Sequence, residues 1–204
     1  QNNKINPSTV DHFFQELESD KTSLAGLYEI DFNKLNDENK LNYKLKEFSL
    51  NESINSKKFP TYYLRLNQRG GIQSFYETGN RLVYSSSQDY FDWLERLEEF
   101  TNHINISLKI NKEGLSKGIT QPKMITKGVI EQIDAIIDSN IDTNPYMKVF
   151  LEADESILTK SEKKDLIDNA KNLIENKINP AYVELNKFFK NDYIVNSRNS
   201  IGIK

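Results

Sequence analysis

Helix-breaking residues are rare in this chain, and their scarcity constrains the fold more than any other feature. The 204 residues include 8 glycines and 5 prolines, so long uninterrupted helices are expected between them. One stretch, GLSKGITQPKMITKGVIEQID from Gly114 to Asp134, holds three of the glycines and one proline. Gly118 suits the position just past a helix end, Thr120 suits the next N-cap, and Pro122 suits the first turn of the following helix. The stretch therefore predicts a tight turn between two antiparallel helices.

Apolar residues recur at helical spacing near the amino terminus. Ser8 or Thr9 is expected to cap a first helix, and the pair Asn36-Asp37 is expected to cap a second. The second helix should carry one apolar face, because three large side chains fall at i, i+4 and i+7. These residues are Leu41, Leu45 and Phe48.

Two long helices are expected further along the chain, near Ser87–Leu115 and Thr159–Tyr193. Pro180 lies inside the second helix and should kink it, because the proline ring clashes with the preceding turn. Nine side chains on single helix faces are predicted to be buried. They are Leu94, Leu97, Ile104, Ile125, Val129, Ile133, Leu166, Leu173 and Ile178.

The least helical part of the chain extends from Phe59 to Val83. Tyr62, Leu64 and Leu66 alternate with polar residues there, as in a short extended segment. We therefore predict an all-α fold: a helical array of about five or six helices, with one short irregular or extended segment near residues 59–83. Neither a sequence repeat nor a low-complexity linker divides the chain, so residues 1–204 are expected to form a single helical domain.

Composition and charge exclude several classes of function. The 27 basic and 30 acidic residues are interleaved and give a net charge of −3. The sequence therefore lacks the concentration of basic residues that binds nucleic acid. No apolar run approaches the roughly 20 residues that a membrane span needs. The absence of cysteine excludes thiolate zinc sites and cysteine nucleophiles. Because the chain begins at Gln1 without an initiator methionine or an apolar signal region, either a targeting segment has been removed or the sequence starts within a longer protein.

No set of residues has the spacing of a catalytic or metal-binding motif. His12 and His103 each stand alone, whereas a zinc site usually combines a local pair of ligands with one distant residue. The carboxylate clusters at residues 95–99 and 152–155 fit solvated helix faces and lack the pattern of a calcium loop. We therefore predict no catalytic residue and no metal ligand in this chain.

Six segments occur in the same order as in a bacterial protein family. They are NDENKLNYKLKEFSL (Asn36–Leu50), LNQRGGIQSFY (Leu66–Tyr76), DYFDWLERLEEF (Asp89–Phe100), the stretch that begins at Gly114, NPYMKVF and INPAYVELNKFFKNDY. Together they resemble the N-terminal part of the family called domain of unknown function 885, from about Ser23 onward. Members of that family are much longer and resemble zinc-dependent peptidases of the helical, carboxypeptidase-like type. Their His-Glu motif lies far downstream of the matched region.

The resemblance implies a peptidase parent, but no histidine follows His103 in this sequence. The chain is therefore expected to be the N-terminal, non-catalytic part of a longer protein, inactive alone and without a cofactor of its own. Zinc, a peptide substrate and a C-terminal catalytic part are implied for the parent, with this part forming one wall of the substrate channel. A periplasmic, secreted or lipid-anchored location is also implied. The alternative is an autonomous helical interaction or scaffold module without hydrolytic activity.

The loop Asn67-Gln68-Arg69-Gly70-Gly71 is the candidate substrate-lining element. Folding costs glycine more conformational entropy than any other residue. Two adjacent glycines are therefore expected where the backbone must adopt a conformation that other residues rarely adopt. One interpretation is a tight turn that leaves a short extended segment. The other is a loop whose amides, with Asn67 and Gln68, face the cleft of the complete protein and hold a peptide in extended form. On that interpretation Asn67, Gln68, Gly70 and Gly71 line the substrate site.

Overall fold

The computed structural model describes residues 4–5 and 9–201, and helices and helical turns of all types contain 74% of these described residues. No strand is present among the described residues, which confirms the all-α prediction. Seven helices are found there rather than five or six, because α3 and α6 are too short for periodicity to reveal. They are α1 (Val10–Tyr28), α2 (Asp37–Ser56), α3 (Tyr76–Arg81), α4 (Ser87–Ser116), α5 (Lys123–Ile137), α6 (Lys148–Leu151) and α7, which begins with Lys160–Leu173 and continues without a break to Ile194–Asn196.

The chain forms two compact units. Among the described residues, the smaller unit, 9–62, contains α1 and α2, which pack against each other. The larger unit combines residues 63–201 with residues 4–5 and contains α3 to α7. A single domain over residues 1–204 stays a prediction.

The core of the larger unit lies around α7. The middle of α7, Asn179–Phe188, packs against both α4 and α5. Seven of the nine residues predicted to be buried are less than a tenth exposed, whereas Leu94 and Ile125 are half-buried. Large aromatic side chains that the prediction did not include complete this core, because each buries more apolar area than a leucine. The largest are Trp93, Phe100, Tyr146, Phe150, Tyr182, Phe189 and Tyr193.

Side-chain caps begin the helices of the smaller unit as predicted. The Thr9 hydroxyl accepts a hydrogen bond from the His12 N–H (3.1 Å) and caps α1, while Ser8 lies outside the described residues. The Asn36 side chain accepts from the Asn39 N–H (2.8 Å) and caps α2. Each cap satisfies an N–H group that the helix itself leaves without an acceptor.

The connection between α4 and α5 differs from the prediction in one respect. Gly118 has a φ of +71° and takes the left-handed position past the end of α4, as predicted. However, α5 begins at Lys123 with Pro122 as its N-cap, so Thr120 is not the cap and Pro122 lies just outside the first turn. Thr120 is instead buried, and its hydroxyl accepts a hydrogen bond from the Arg198 N–H (3.3 Å). This tertiary contact competes with the local capping role.

The predicted interruption at Pro180 takes the form of a π-helical turn. The turn, Ile174–Ile178, directly precedes Asn179–Phe188, and a second π turn, Phe189–Tyr193, follows it. A π turn adds a residue to the helix and so relieves the clash between the proline ring and the carbonyl one turn earlier. The helix therefore continues through the proline.

The segment near residues 59–83 is irregular, as predicted, but it is not extended. It contains the 3₁₀ turns Thr61–Leu64 and Ile72–Ser74 and then α3. Tyr63 and Leu66 are both buried in the larger unit. Tyr62 and Leu64 lie within the first 3₁₀ turn, whereas Leu66 follows it in irregular backbone. The apparent alternation of Tyr62, Leu64 and Leu66 therefore does not reflect a strand.

Candidate functional site

The loop from Asn67 to Gly71, called here the 67–71 loop, is closed on itself. The Asn67 N–H donates to the Gly70 carbonyl (3.1 Å), and the Gly70 N–H donates to the Asn67 carbonyl (3.2 Å). The Asn67 side-chain oxygen accepts from the Arg69 N–H (2.9 Å), an arrangement that asparagine favours in turns. Three of the five N–H groups are thus used inside the loop. The N–H groups of Gln68 and Gly71 have no acceptor among the described residues.

Gly71 is the position of the loop that requires glycine. Its φ of +142° is rarely adopted by other residues, and a Cβ atom there would lie 2.6 Å from Gln73 Oε1. Gly70 has no positive φ, and a Cβ atom there would meet open space. The special backbone conformation expected of the glycine pair is therefore found at Gly71.

Two glutamines hold the loop against the body of the larger unit. Gln73 Nε2 donates to the Asn67 carbonyl (2.7 Å) and to Gln132 Oε1 (3.0 Å), and Gln132 Nε2 donates to the Gln68 carbonyl (2.9 Å). Gln73 is 2% exposed, so its two bonds are partly shielded from competing water, whereas the bond from Gln132 to Gln68 is exposed. Sequence reasoning missed both glutamines. They are 59 residues apart, and an isolated glutamine has no motif that would mark it.

A buried pair of tyrosines supports the backbone directly after the loop. The Tyr182 hydroxyl donates to the Ile72 carbonyl (2.7 Å) and lies 2.7 Å from the Tyr146 hydroxyl. Burial raises the pKa of both phenols well above the usual value, so both remain neutral hydrogen-bond donors at physiological pH. The bond to Ile72 fixes the residue between Gly71 and Gln73. The loop is consequently held from both sides.

A small pocket opens beside the loop. Its volume is about 210 Å³, below the roughly 300–1,000 Å³ typical of ligand pockets, so it suits a single side chain better than a cofactor. The Arg69 side chain lines it and has no ion-pair partner among the described residues, whereas Glu77, on the same pocket, pairs with Arg81. The polar loop and this pocket together form the candidate site.

The two histidines lie on different helices, and their surroundings differ. His12 Nε2 lies 3.6 Å from Glu16 on the same helix. His103 is buried, and burial lowers the pKa of its imidazole. In the part of the chain that the structure describes, no group of three or more His, Cys, Asp or Glu side chains could hold a metal ion. The residues here do not fit the zinc implied for the parent, so no catalytic step through zinc is assigned to them.

The fold and the site define an all-helical protein whose candidate site is a glycine-containing loop beside a small polar pocket. Residues 2–202 match the family described as bacterial protein of unknown function (DUF885), and the chain belongs to that family. This confirms the resemblance carried by the six segments, while the family description itself assigns no activity. Comparison with curated proteins and with solved structures gave no match. Among the described residues, no helix is long and apolar enough to cross a membrane.

Proposed function

We propose that this chain is the N-terminal, helical, non-catalytic part of a metallopeptidase and forms one wall of its substrate channel. The observation that carries the proposal is the rigid 67–71 loop, whose backbone is fixed by Gln73 and Gln132 while Gln68 and Arg69 remain exposed. Preorganisation of this kind lowers the cost of ordering a loop around a bound peptide. Zinc and the catalytic groups belong, in this proposal, to a C-terminal part of the parent.

The loop would bind a peptide through the N–H groups that it does not use internally. Gln68 and Gly71 can each donate to a carbonyl of an extended substrate, by pairing along its edge. The pocket beside Arg69 would then accept one substrate side chain. Because the closed turn already uses the N–H groups of Asn67 and Gly70, these two residues would contribute by shaping the loop.

The decisive experiment uses the parent protein encoded by the same gene. Gly70→Val adds a side chain in open space without a clash, so it should obstruct a channel without destabilising the fold. We expect lower peptide turnover with unchanged zinc content in both Gly70→Val and Asn67→Ala, and an unchanged melting temperature in Gly70→Val. Gly26→Val on α1 is a matched control, since a Cβ atom there also meets open space. If both loop variants hydrolysed peptides at the wild-type rate, the loop would have no role in substrate binding and would be a structural turn only.

A second candidate function is an autonomous helical interaction module, which is favoured by apolar side chains exposed on α2. The gene sequence beyond Lys204 distinguishes the two candidates. A downstream His-Glu motif followed by a further histidine supports the peptidase. A stop codon directly after Lys204 supports the module.

We further propose that the parent acts outside the cytoplasm, either secreted, periplasmic or lipid-anchored. The support for this location is the family resemblance described above. Fractionation of the source cells tests it, since recovery of the parent from the cytoplasm would contradict the proposal.

A further inference from the structure

The pocket beside the 67–71 loop has one basic and one acidic side chain in its wall. They are Arg69 and Glu77, and the other residues that line the pocket in the described structure are neutral. Glu77 is already paired, because its carboxylate contacts Arg81 one turn later on α3. Arg69 is exposed and forms no ion pair with any described residue. The pocket therefore has one positive charge that no acidic side chain balances.

Three contacts hold the backbone that carries Arg69. The Arg69 N–H donates to the Asn67 side chain (2.9 Å), and the Gln68 carbonyl accepts from Gln132 on α5 (2.9 Å). Gly128 lies one turn before Gln132, and a Cβ atom there would lie 3.2 Å from Gln68 Oε1. A glycine at this position thus allows the Gln68 side chain to lie close against α5. Because these contacts fix the start of the Arg69 side chain, less freedom remains to be lost when its guanidinium binds a ligand.

The charge and the size of the pocket suit a carboxylate. The planar N–H donors of a guanidinium match the two oxygens of a carboxylate and bind both at once. The pocket volume of about 210 Å³ leaves room for one side chain or one chain end. A phosphate group carries about −1.5 to −2 charges at neutral pH, which the single charge of Arg69 does not balance. A carboxylate, with one negative charge, does match it.

We infer that this pocket binds a carboxylate group of the peptide and that Arg69 selects it. The carboxylate belongs either to an acidic side chain or to the carboxyl end of the peptide. The inference rests on the proposed function, since that function supplies the peptide. It adds the chemical class that the site recognises and the residue that recognises it. All the groups that it requires lie in this chain, so the 204-residue chain itself is the material for the test.

Peptide titrations followed by ¹H–¹⁵N NMR test the inference. The probes are acetyl-Ala-Glu-Ala amide, its uncharged counterpart acetyl-Ala-Gln-Ala amide, and acetyl-Ala-Ala-Ala with a free carboxyl end. The glutamate peptide should bind about tenfold more tightly than the glutamine peptide, because a hydrogen bond to a charged group is worth more than a neutral one. It should shift the Nε–H resonance of Arg69 and the backbone amide resonances of Gln68 and Gly71. The third peptide shows whether a carboxyl end is accepted in the same place.

Substitutions at Arg69 separate recognition from a structural role. Arg69→Gln should abolish the preference for the glutamate peptide over the glutamine peptide. Arg65→Gln is the matched control and should keep the preference, because Arg65 is also exposed but is not among the residues that line the pocket. Arg69→Glu should reverse the preference in favour of acetyl-Ala-Lys-Ala amide, which loss of loop structure would not produce. Circular dichroism confirms that each variant is folded before it is titrated.

Three results overturn the inference: no binding of any peptide, equal binding of the glutamate and glutamine peptides without binding of the free carboxyl end, or a preference that survives Arg69→Gln. Inorganic phosphate that binds at Arg69 more tightly than acetate also overturns it, because the pocket then suits a phosphorylated ligand. Binding of the free carboxyl end alone supports the inference and assigns the carboxylate to the end of the peptide.

These outcomes are independent of the test of the proposed function. If Gly70→Val and Asn67→Ala lower turnover in the parent but no carboxylate binds at Arg69, the function stands and the inference fails. If a carboxylate binds at Arg69 but both loop variants hydrolyse peptides at the wild-type rate, the carboxylate site stands and the proposed role in the substrate channel fails.

Discussion

The larger and smaller units contain similarly spaced apolar residues, yet they place them differently. On α4 in the larger unit, Leu97 and Ile104 are completely buried. On α2 in the smaller unit, Leu41, Leu45 and Phe48 fall at equivalent spacings and are more than half exposed. Periodicity thus identifies which residues share a helix face, but it does not identify what covers that face. The difference between the units lies in the partners available to each helix.

The polar contacts of the two units show the same contrast. In the larger unit, the side chains of Gln73 and Tyr182 are buried and bond to backbone carbonyls. In the smaller unit, a partly exposed ion pair joins Asp20 of α1 to Lys57, the residue that follows α2 (2.7 Å). Among residues 9–62, the large apolar side chains that are less than a tenth exposed are Phe13 and Leu50, so this unit has a small core. The smaller unit is therefore expected to be the less stable of the two.

The largest effect should come from truncating a core leucine of the larger unit. Leu97→Ala removes a fully buried side chain and should lower the free energy of unfolding by about 2–5 kcal/mol. Leu45→Ala is the matched variant on α2 and should change it by at most about 0.5 kcal/mol. Chemical denaturation followed by circular dichroism measures both. Equal losses of unfolding free energy in the two variants would mean that Leu45 is packed as tightly as Leu97. The two units would then not differ in how they place apolar residues.

A smaller loss is expected when space inside the larger unit is filled. Gly79 lies against the fully buried Trp93, and a Cβ atom at position 79 would approach the indole ring to within van der Waals overlap. Gly79→Ala should therefore destabilise the protein by about 1–3 kcal/mol. Gly26→Ala in the smaller unit meets nothing and should be stabilising or neutral, because alanine favours helices. A neutral Gly79→Ala would show that Trp93 can shift, and thus that this core is loosely packed.

The two glycines of the 67–71 loop allow a finer comparison within the larger unit. Gly71→Ala forces a side chain into a conformation open almost exclusively to glycine and should lower the free energy of unfolding by on the order of 1–2 kcal/mol. Gly70→Ala should have almost no effect, since the site is open. The melting temperatures of the two variants provide the measurement. If both variants melted like the wild type, the loop would be adaptable rather than preorganised.

How far the sequence predicts this molecule depends on whether local or distant residues decide each feature. The caps at Thr9 and Asn36 follow from local chemistry, and the structure confirms them. The role of Thr120 was mistaken, because a contact with Arg198, 78 residues away, replaces the local cap. At the candidate site, the sequence identified the loop by its glycines. It could not identify Gln132, whose function depends on its position beside the loop in three dimensions.

The smallest expected effect is a difference in how the two units respond to acid. Burial holds the pKa of His103 below its usual value, although nearby Glu99 partly offsets this. Below about pH 6.5 the unfolded chain therefore binds a proton that the folded larger unit resists, and stability is lost as the pH falls. In the smaller unit, hydrogen bonds from Lys57 and Ser53 lower the pKa of Asp20, so its contribution is kept until the pH falls through about 3.9. Melting curves should show that His103→Gln flattens the decline between about pH 7 and 5, while Asp20→Asn flattens it below about pH 4. Identical pH profiles for both variants and the wild type would show that neither group distinguishes the units.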